Sequence, residues 1–248
     1  MQILKKMILC IETATNVCSA ALCNSGGVIS VKESDDLRSH ASLLTVYIGE
    51  LFKETGISAT DLKAVAVSKG PGSYTGLRIG VSVAKGIAFG ASLPLIGITT
   101  TLSMTMGLIQ KMGKIEENTI FCPMIDARRM EVYYALYDRE GKQIKDISAD
   151  IITESSFNSI SEKYKIIFFG DGAAKCSNII KRQNIEFFDN FTPSAAFMYK
   201  PAKEAFDLKR FEDIAYFEPF YLKDFVATTQ RKNIFAEIGD KPVTDKKE

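Results

Sequence analysis

The chain has 248 residues, 46% of them apolar and 25% charged, proportions that exclude a disordered body and admit one large or two small domains. Lysine plus arginine number 31 against 30 aspartate plus glutamate, so no overall positive field holds a polyanion without a partner. The five cysteines form no C-x-x-C pair and are odd in number, which reads as reduced core thiols of a cytoplasmic protein and not as a disulfide framework.

The opening, MQILKKMILCIETA, carries two lysines ahead of an apolar run, but Glu12 interrupts that run too early for a signal h-region or a membrane span. Residues 11–22, IETATNVCSAAL, lie without gaps over residues 125–136, IDARRMEVYYAL. Each copy is an apolar strand ending in an acid, Glu12 or Asp126, then a few turn residues and a second β-rich run. A glycine turn follows in each case, NSGG at 24–27 and DREG at 138–141, and leads to a third strand. Residues 40–55 predict the first helix. A fourth strand, KAVAVS at 63–68, runs through GPGSYTGLRIG at 70–80 into a second helix, and ASLPLIGITT supplies a fifth strand. This strand, glycine turn and helix recur, since LKAVAVSKGPGS at 62–73 lies over YKIIFFGDGAAK at 164–175, and NIEFFDNF supplies the fifth strand of the second half. Two landmarks in the same order predict a duplication. Each half is expected to be a meander, a helix, a strand, a glycine turn, a helix and a last strand, an α/β sandwich with a mixed sheet. From about Arg231 the text turns charged and loses its period, as a loose tail does.

Glycines ahead of a helix start suit a phosphate, because bare backbone N–H groups and the positive helix end point at an anion. The loop at 70–80 fails both standard patterns, however: Leu77 and Arg78 follow Gly76 where Lys and Ser or Thr would stand, and Thr75 replaces a fingerprint glycine. Ligand loop and purely structural turn both remain open. At 100° per residue Arg78, Ser82 and Lys85 share one arc of the following helix with Phe89 in line, while Gly76, Gly80 and Ala84 occupy a nearly opposite face that lets a backbone come close. In the first helix, Leu43, Leu44, Val46, Tyr47, Ile48, Leu51 and Phe52 cover more than the arc of a one-sided surface helix. Such helices are either sandwiched within their domain or shared with a partner. On the second reading they form a patch that packs as a four-helix bundle across a two-fold axis, built from His40, Leu43, Leu44, Tyr47, Leu51, Gly76, Leu77, Arg78, Gly80, Val81, Ala84 and Lys85. His40 is the single histidine, so no His pair can hold a metal, and no G-x-S-x-G elbow supports a serine peptidase.

Together, ILCIETATNVCSAALCNSGG, HASLLTVYIGELF, SKGPGSYTGLRIGVSVAKGIAFG, MIDARRMEVYYALY and the late PFYLK closely resemble the bacterial TsaB (YeaZ) family over about residues 7–225. The resemblance implies two duplicated ribonuclease-H-like (actin-like ATPase, ASKHA) domains. The first spans 1–103 and is completed by a C-terminal helix at about 206–225; the smaller second spans 104–205, with 231–248 as the tail. It also implies a non-catalytic cytoplasmic subunit that binds and activates a TsaD-like transferase, which threonylcarbamoylates N6 of adenosine 37 in tRNAs reading codons that begin with A. Expected partners are the TsaD-like subunit in a heterodimer and a TsaE-like ATPase, with a homodimer in isolation, tRNA only through the complex, and no membrane. Glu12 and Thr13 resemble the first phosphate element of actin-like ATPases, and Gly170, Asp171 and Gly172 the second. Glu12 is longer than the usual Asp, and Ala-Arg-Arg after Asp126 is no phosphate hairpin. A degenerate nucleotide site or none is therefore expected, with no metal, no cofactor held by this chain alone, and ATP or ADP possible in the complex. An actin-like kinase, a glycoprotease-like peptidase, and Glu12 and Asp126 as mere solvated strand ends stand as the alternatives.

Overall fold

The computed structural model describes residues 7–35 and 40–223, for His40 the backbone only. The expected tail at 231–248 lies outside the described residues. The first half runs β1 (Met7–Glu12), β2 (Cys18–Asn24), β3 (Gly27–Ser34), α1 (His40–Thr55), β4 (Leu62–Gly70), α2 (Tyr74–Gly90) and β5 (Leu95–Thr99). After α3 (Thr100–Met112), the second half runs β6 (Thr119–Asp126), β7 (Glu131–Tyr137), β8 (Gln143–Ile151), β9 (Lys165–Phe169) and β10 (Ile185–Phe188), and α4 (Tyr199–Asp207) follows. The sheets have matching orders, β3-β2-β1-β4-β5 and β8-β7-β6-β9-β10. In each, the opening hairpin is antiparallel and the two later strands pair parallel. The echoed segments therefore stand at equivalent positions, β1–β2 and β6–β7.

Side-chain alternation sorts the central strand between two layers. Leu9 and Ile11 of β1 pack with Leu44, Leu51 and Val81 of α1 and α2, while Ile8 and Cys10 face Met198 and Ala202 on the opposite side. The helix expected at 206–225 is thus found earlier, as α4 with the 3-10 turn Ala195–Met198 before it. Its Pro201 is tolerated in the first turn, where the missing N–H has no helical partner anyway. Beyond Asp207 the segment lies along the sheet instead of coiling: Glu212 N donates to Leu95 O at 2.8 Å and Phe220 N to Lys69 O at 2.6 Å. The apolar residues read as helical there are spaced along an edge-bound strap, with Pro219 inside it.

The division at 103/104 falls within α3, whose Met104 and Leu108 pack under the second sheet against Phe121 and Phe169. The helices expected on the other face of that sheet are absent. Turns at 152–160 and the 3-10 turn Ala174–Cys176 cover it, with Ile152, Phe157 and Ile180 filling the core. Serine, threonine and asparagine crowd residues 153–161 and compete for backbone hydrogen bonds that a helix would need. No helix among the described residues is long and apolar enough to cross a membrane.

Candidate functional site

Glu12 ends β1 completely buried, not as a solvated strand end. Its Oε1 accepts from Ala14 N at 2.7 Å, and its Oε2 has no partner. Burial pushes its carboxyl from 4.5 up to about 7, against the hydrogen bonds that favour the charged form. Thr13 beside it donates from N to Ser68 Oγ at 3.3 Å and from Oγ1 to Gly76 O at 2.8 Å. Ser73 caps α2 by accepting from Gly76 N, and its own N donates to Ala14 O at 2.6 Å. The glycine face of α2 closes this contact. A Cβ on Gly72 would stand under 3.0 Å from Ala14 O, and on Gly76 or Gly80 equally close to Thr13 O or Thr13 Oγ1. The loop at 70–80 thus seats the β1–β2 turn on the helix start, with the amides of Ser73, Gly76 and Leu77 bonded within the chain.

The second glycine turn is filled in the same way. A Cβ on Gly170, whose φ is +98°, would overlap Met124 O, and one on Gly172 would press on the backbone of Ile125. Asp171 Oδ1 accepts from Asp126 N at 3.0 Å, and burial pushes the Asp171 carboxyl upward. Lys175 Nζ occupies the middle, 2.6 Å from Asp126 Oδ1, 3.0 Å from Arg129 O and 2.6 Å from Glu131 O. The chain's own ammonium group thus pairs with the acid that ends β6. Asp126 stays half exposed but ion-paired. Among the described residues no three His, Cys, Asp or Glu side chains converge as metal ligands would. None of the five cysteines is in a disulfide, and all are buried. Burial raises the Cys18 thiol to about 11 and raises those of Cys122 and Cys176, the reverse of what a nucleophile needs.

The two helices divide the expected interface residues into an inner and an outer set. Leu44, Leu51, Gly76, Leu77, Gly80, Val81 and Ala84 are buried inside the chain, so these seven belong to the core and cannot form its outer face. Leu43 and Tyr47 are half-buried against the same core. His40 opens α1, and its side chain lies outside the described part. Arg78 is exposed over the Tyr74 ring, whereas Lys85 donates to Ala215 O at 3.3 Å and Phe217 O at 3.0 Å, pinning the C-terminal strap. The surface that does face outward was missed because it is made by other positions. Gly49 of α1 and Gly86 and Gly90 of α2 would meet nothing within 4 Å if given a Cβ, although each costs helix stability. Val46 is 49% and Phe89 75% exposed. Phe89 borders an apolar groove of about 530 Å³ with Gly86, Ile214 and Ala215. Its signals in the sequence were Phe89, in line with Arg78 and Lys85, and Val46 in the wide apolar arc of the first helix.

Two copies of one five-stranded layer, each ending its first strand in an acid beside a glycine turn, define a duplicated actin-like, ribonuclease-H-like protein. In each half the glycine turn after the fourth strand packs on the backbone at the end of the first. The chain belongs to the TsaB family. It is 32% identical to the tRNA threonylcarbamoyladenosine biosynthesis protein TsaB of Escherichia coli K12, over 89% of this chain and 96% of that protein. It is 29% identical to the TsaB of Haemophilus influenzae, over 88% and 94%. A family profile described as "TsaD: tRNA N6-adenosine threonylcarbamoyltransferase" matches residues 23–232. A protein named for that transferase, from Halalkalibacterium halodurans, aligns over only 38% of this chain and 32% of its own length. Full-length likeness is thus to TsaB proteins. The solved structure of YeaZ from Pseudomonas aeruginosa superposes with a TM-score of 0.75 at 23% identity, covering 88% of this chain and 100% of that one, and so shares the fold.

Proposed function

We propose that this chain is the non-catalytic subunit that binds and activates a TsaD-like transferase in the threonylcarbamoylation of N6 of adenosine 37 in tRNAs reading codons that begin with A. The observation that carries this reading is a contrast between the two kinds of surface. At the two glycine turns, Lys175 pairs with Asp126, and Gly72, Gly76 and Gly80 lie against Thr13 and Ala14 of the same chain. The outer faces of α1 and α2 instead spend helix glycines on open space and leave Phe89 bare. Helix glycines with nothing near them lower stability unless another backbone comes close. On this reading the TsaD-like subunit covers that face in a heterodimer, a second copy covers it when the chain is alone, and a TsaE-like ATPase and tRNA join through the complex in the cytoplasm. ATP or ADP then belongs to the assembly.

The test is reconstitution with a TsaD-like subunit, tRNA and the threonylcarbamoyl donor, the modified nucleoside being counted by mass spectrometry. Modification should need both chains. Phe89→Asp should weaken association by about 30-fold or more, as loss of a central apolar anchor does. Its melting temperature should hold, since an exposed position away from the core changes stability by at most about 0.5 kcal/mol. Unchanged association of Phe89→Asp in sedimentation, or modification by the transferase at full rate without this chain, overturns the reading.

A further inference from the structure

The hairpin turn at 126–131 breaks a local rule. Arg128 and Arg129 have φ of +68° and +52°, consecutive left-handed residues, a conformation that Gly and Asn tolerate far better than a long side chain does. An arginine at either position is strained by its Cβ. The turn is nevertheless firmly held. Arg128 N donates to Asp126 Oδ1 at 2.6 Å, Glu131 N to Arg128 O at 3.3 Å, Ala127 N to Glu131 O at 3.1 Å, and Lys175 Nζ to Arg129 O. Both arginine side chains are exposed, and among the described residues neither makes an ion pair. Of the carboxylates around the turn, Asp126 is ion-paired with Lys175 and Glu131 with Lys223. A strained but braced turn thus presents two guanidinium groups that no described carboxylate neutralises.

Their surroundings continue the pattern. Lys223 lies over the Tyr133 ring, 5.6 Å from its centroid. Two residues back along the strap, at most about 7 Å away, Tyr221 stacks on Tyr74 with centroids 5.0 Å apart, and Arg78 lies over Tyr74 at 5.3 Å. Cations alternating with rings suit a nucleic-acid strand, whose phosphates take forked guanidinium contacts and whose unpaired bases stack on aromatic faces.

We propose that this ridge, and the Arg128–Arg129 turn above all, contacts the phosphate backbone of the RNA substrate in the assembled complex. The proposal rests on the tRNA-modification reading above. The chain's net charge of +1 fits a subunit that adds a few phosphate contacts to a complex and does not hold RNA alone. The test replaces the pair by uncharged residues that tolerate positive φ, Arg128→Asn with Arg129→Gly, in the full chain bound to its TsaD-like partner. The melting temperature should stay level or rise. Affinity for an unmodified tRNA transcript at about 0.15 M salt should fall roughly tenfold, and the slope of log affinity against log salt should shrink by about 1.5. Arg128→Lys with Arg129→Lys should keep most of the slope. Unchanged affinity and slope in the Asn-Gly variant overturn the proposal while wild-type modification leaves the functional reading standing. Loss of subunit association also overturns it, because the turn would then serve an acidic protein surface. A wild-type complex that does not modify tRNA overturns both.

Discussion

Replacing Leu44 by aspartate is expected to unfold the chain, not merely to separate it from a partner. Leu44 is fully buried in the cluster of Leu9, Ile11, Leu51, Val65 and Val81, between the sheet and the α1–α2 layer. The substitution loses the transfer energy of a leucine, on the order of 2–3 kcal/mol, and places a carboxylate where no described cation or donor can reach it. A further penalty of several kcal/mol follows, unless the group protonates. Domains have about 5–15 kcal/mol in all, so the variant should lose its cooperative thermal transition near neutral pH. Val46→Asp, two residues along α1 and half exposed, is the control and should melt within a few degrees of the parent. A folded, cooperative Leu44→Asp protein would show that α1 does not seat on this core.

The second large effect is the pH dependence that Glu12 imposes. Its folded carboxyl titrates at about 7 against 4.5 for the ordinary side chain, so the folded state binds its proton more tightly than the unfolded state. Stability from this group is fully present below about pH 4.5, falls as the pH rises from there to about 7, and is flat above. A displacement of that size is worth about 3 kcal/mol. Glu12→Gln should therefore gain stability relative to the parent as the pH is raised from 5 to 8, by up to that amount. Denaturant midpoints of the two proteins across this range provide the check. Parallel pH profiles would mean that the carboxylate is solvated or paired in the native state.

Much of the architecture was legible in particular runs of residues. The echo of 11–22 in 125–136 located both opening hairpins, and the apolar spacing of 40–55 gave the bounds of α1, because local pattern and tertiary burial agree there. The run after Asp207 misled, since apolar spacing cannot distinguish a helix face from a strap whose backbone bonds to Leu95 and Lys69. α3 escaped notice because it continues directly from β5 and pairs with the other half.

The same limit governs the site. From the amino-acid order alone came the duplicated strand and glycine-turn plan, the missing metal-ligand pattern around a single histidine, and the unusual glycine helix. These are properties of residue type and period, and they survive in any packing. Only the tertiary structure decided what the glycines meet: Thr13 and Ala14 at Gly72, Gly76 and Gly80, and open space at Gly49, Gly86 and Gly90. A missing side chain records that something can come close. Which backbone comes close, and whether it belongs to the same chain, depends on contacts between residues distant in sequence, and no local pattern carries that information.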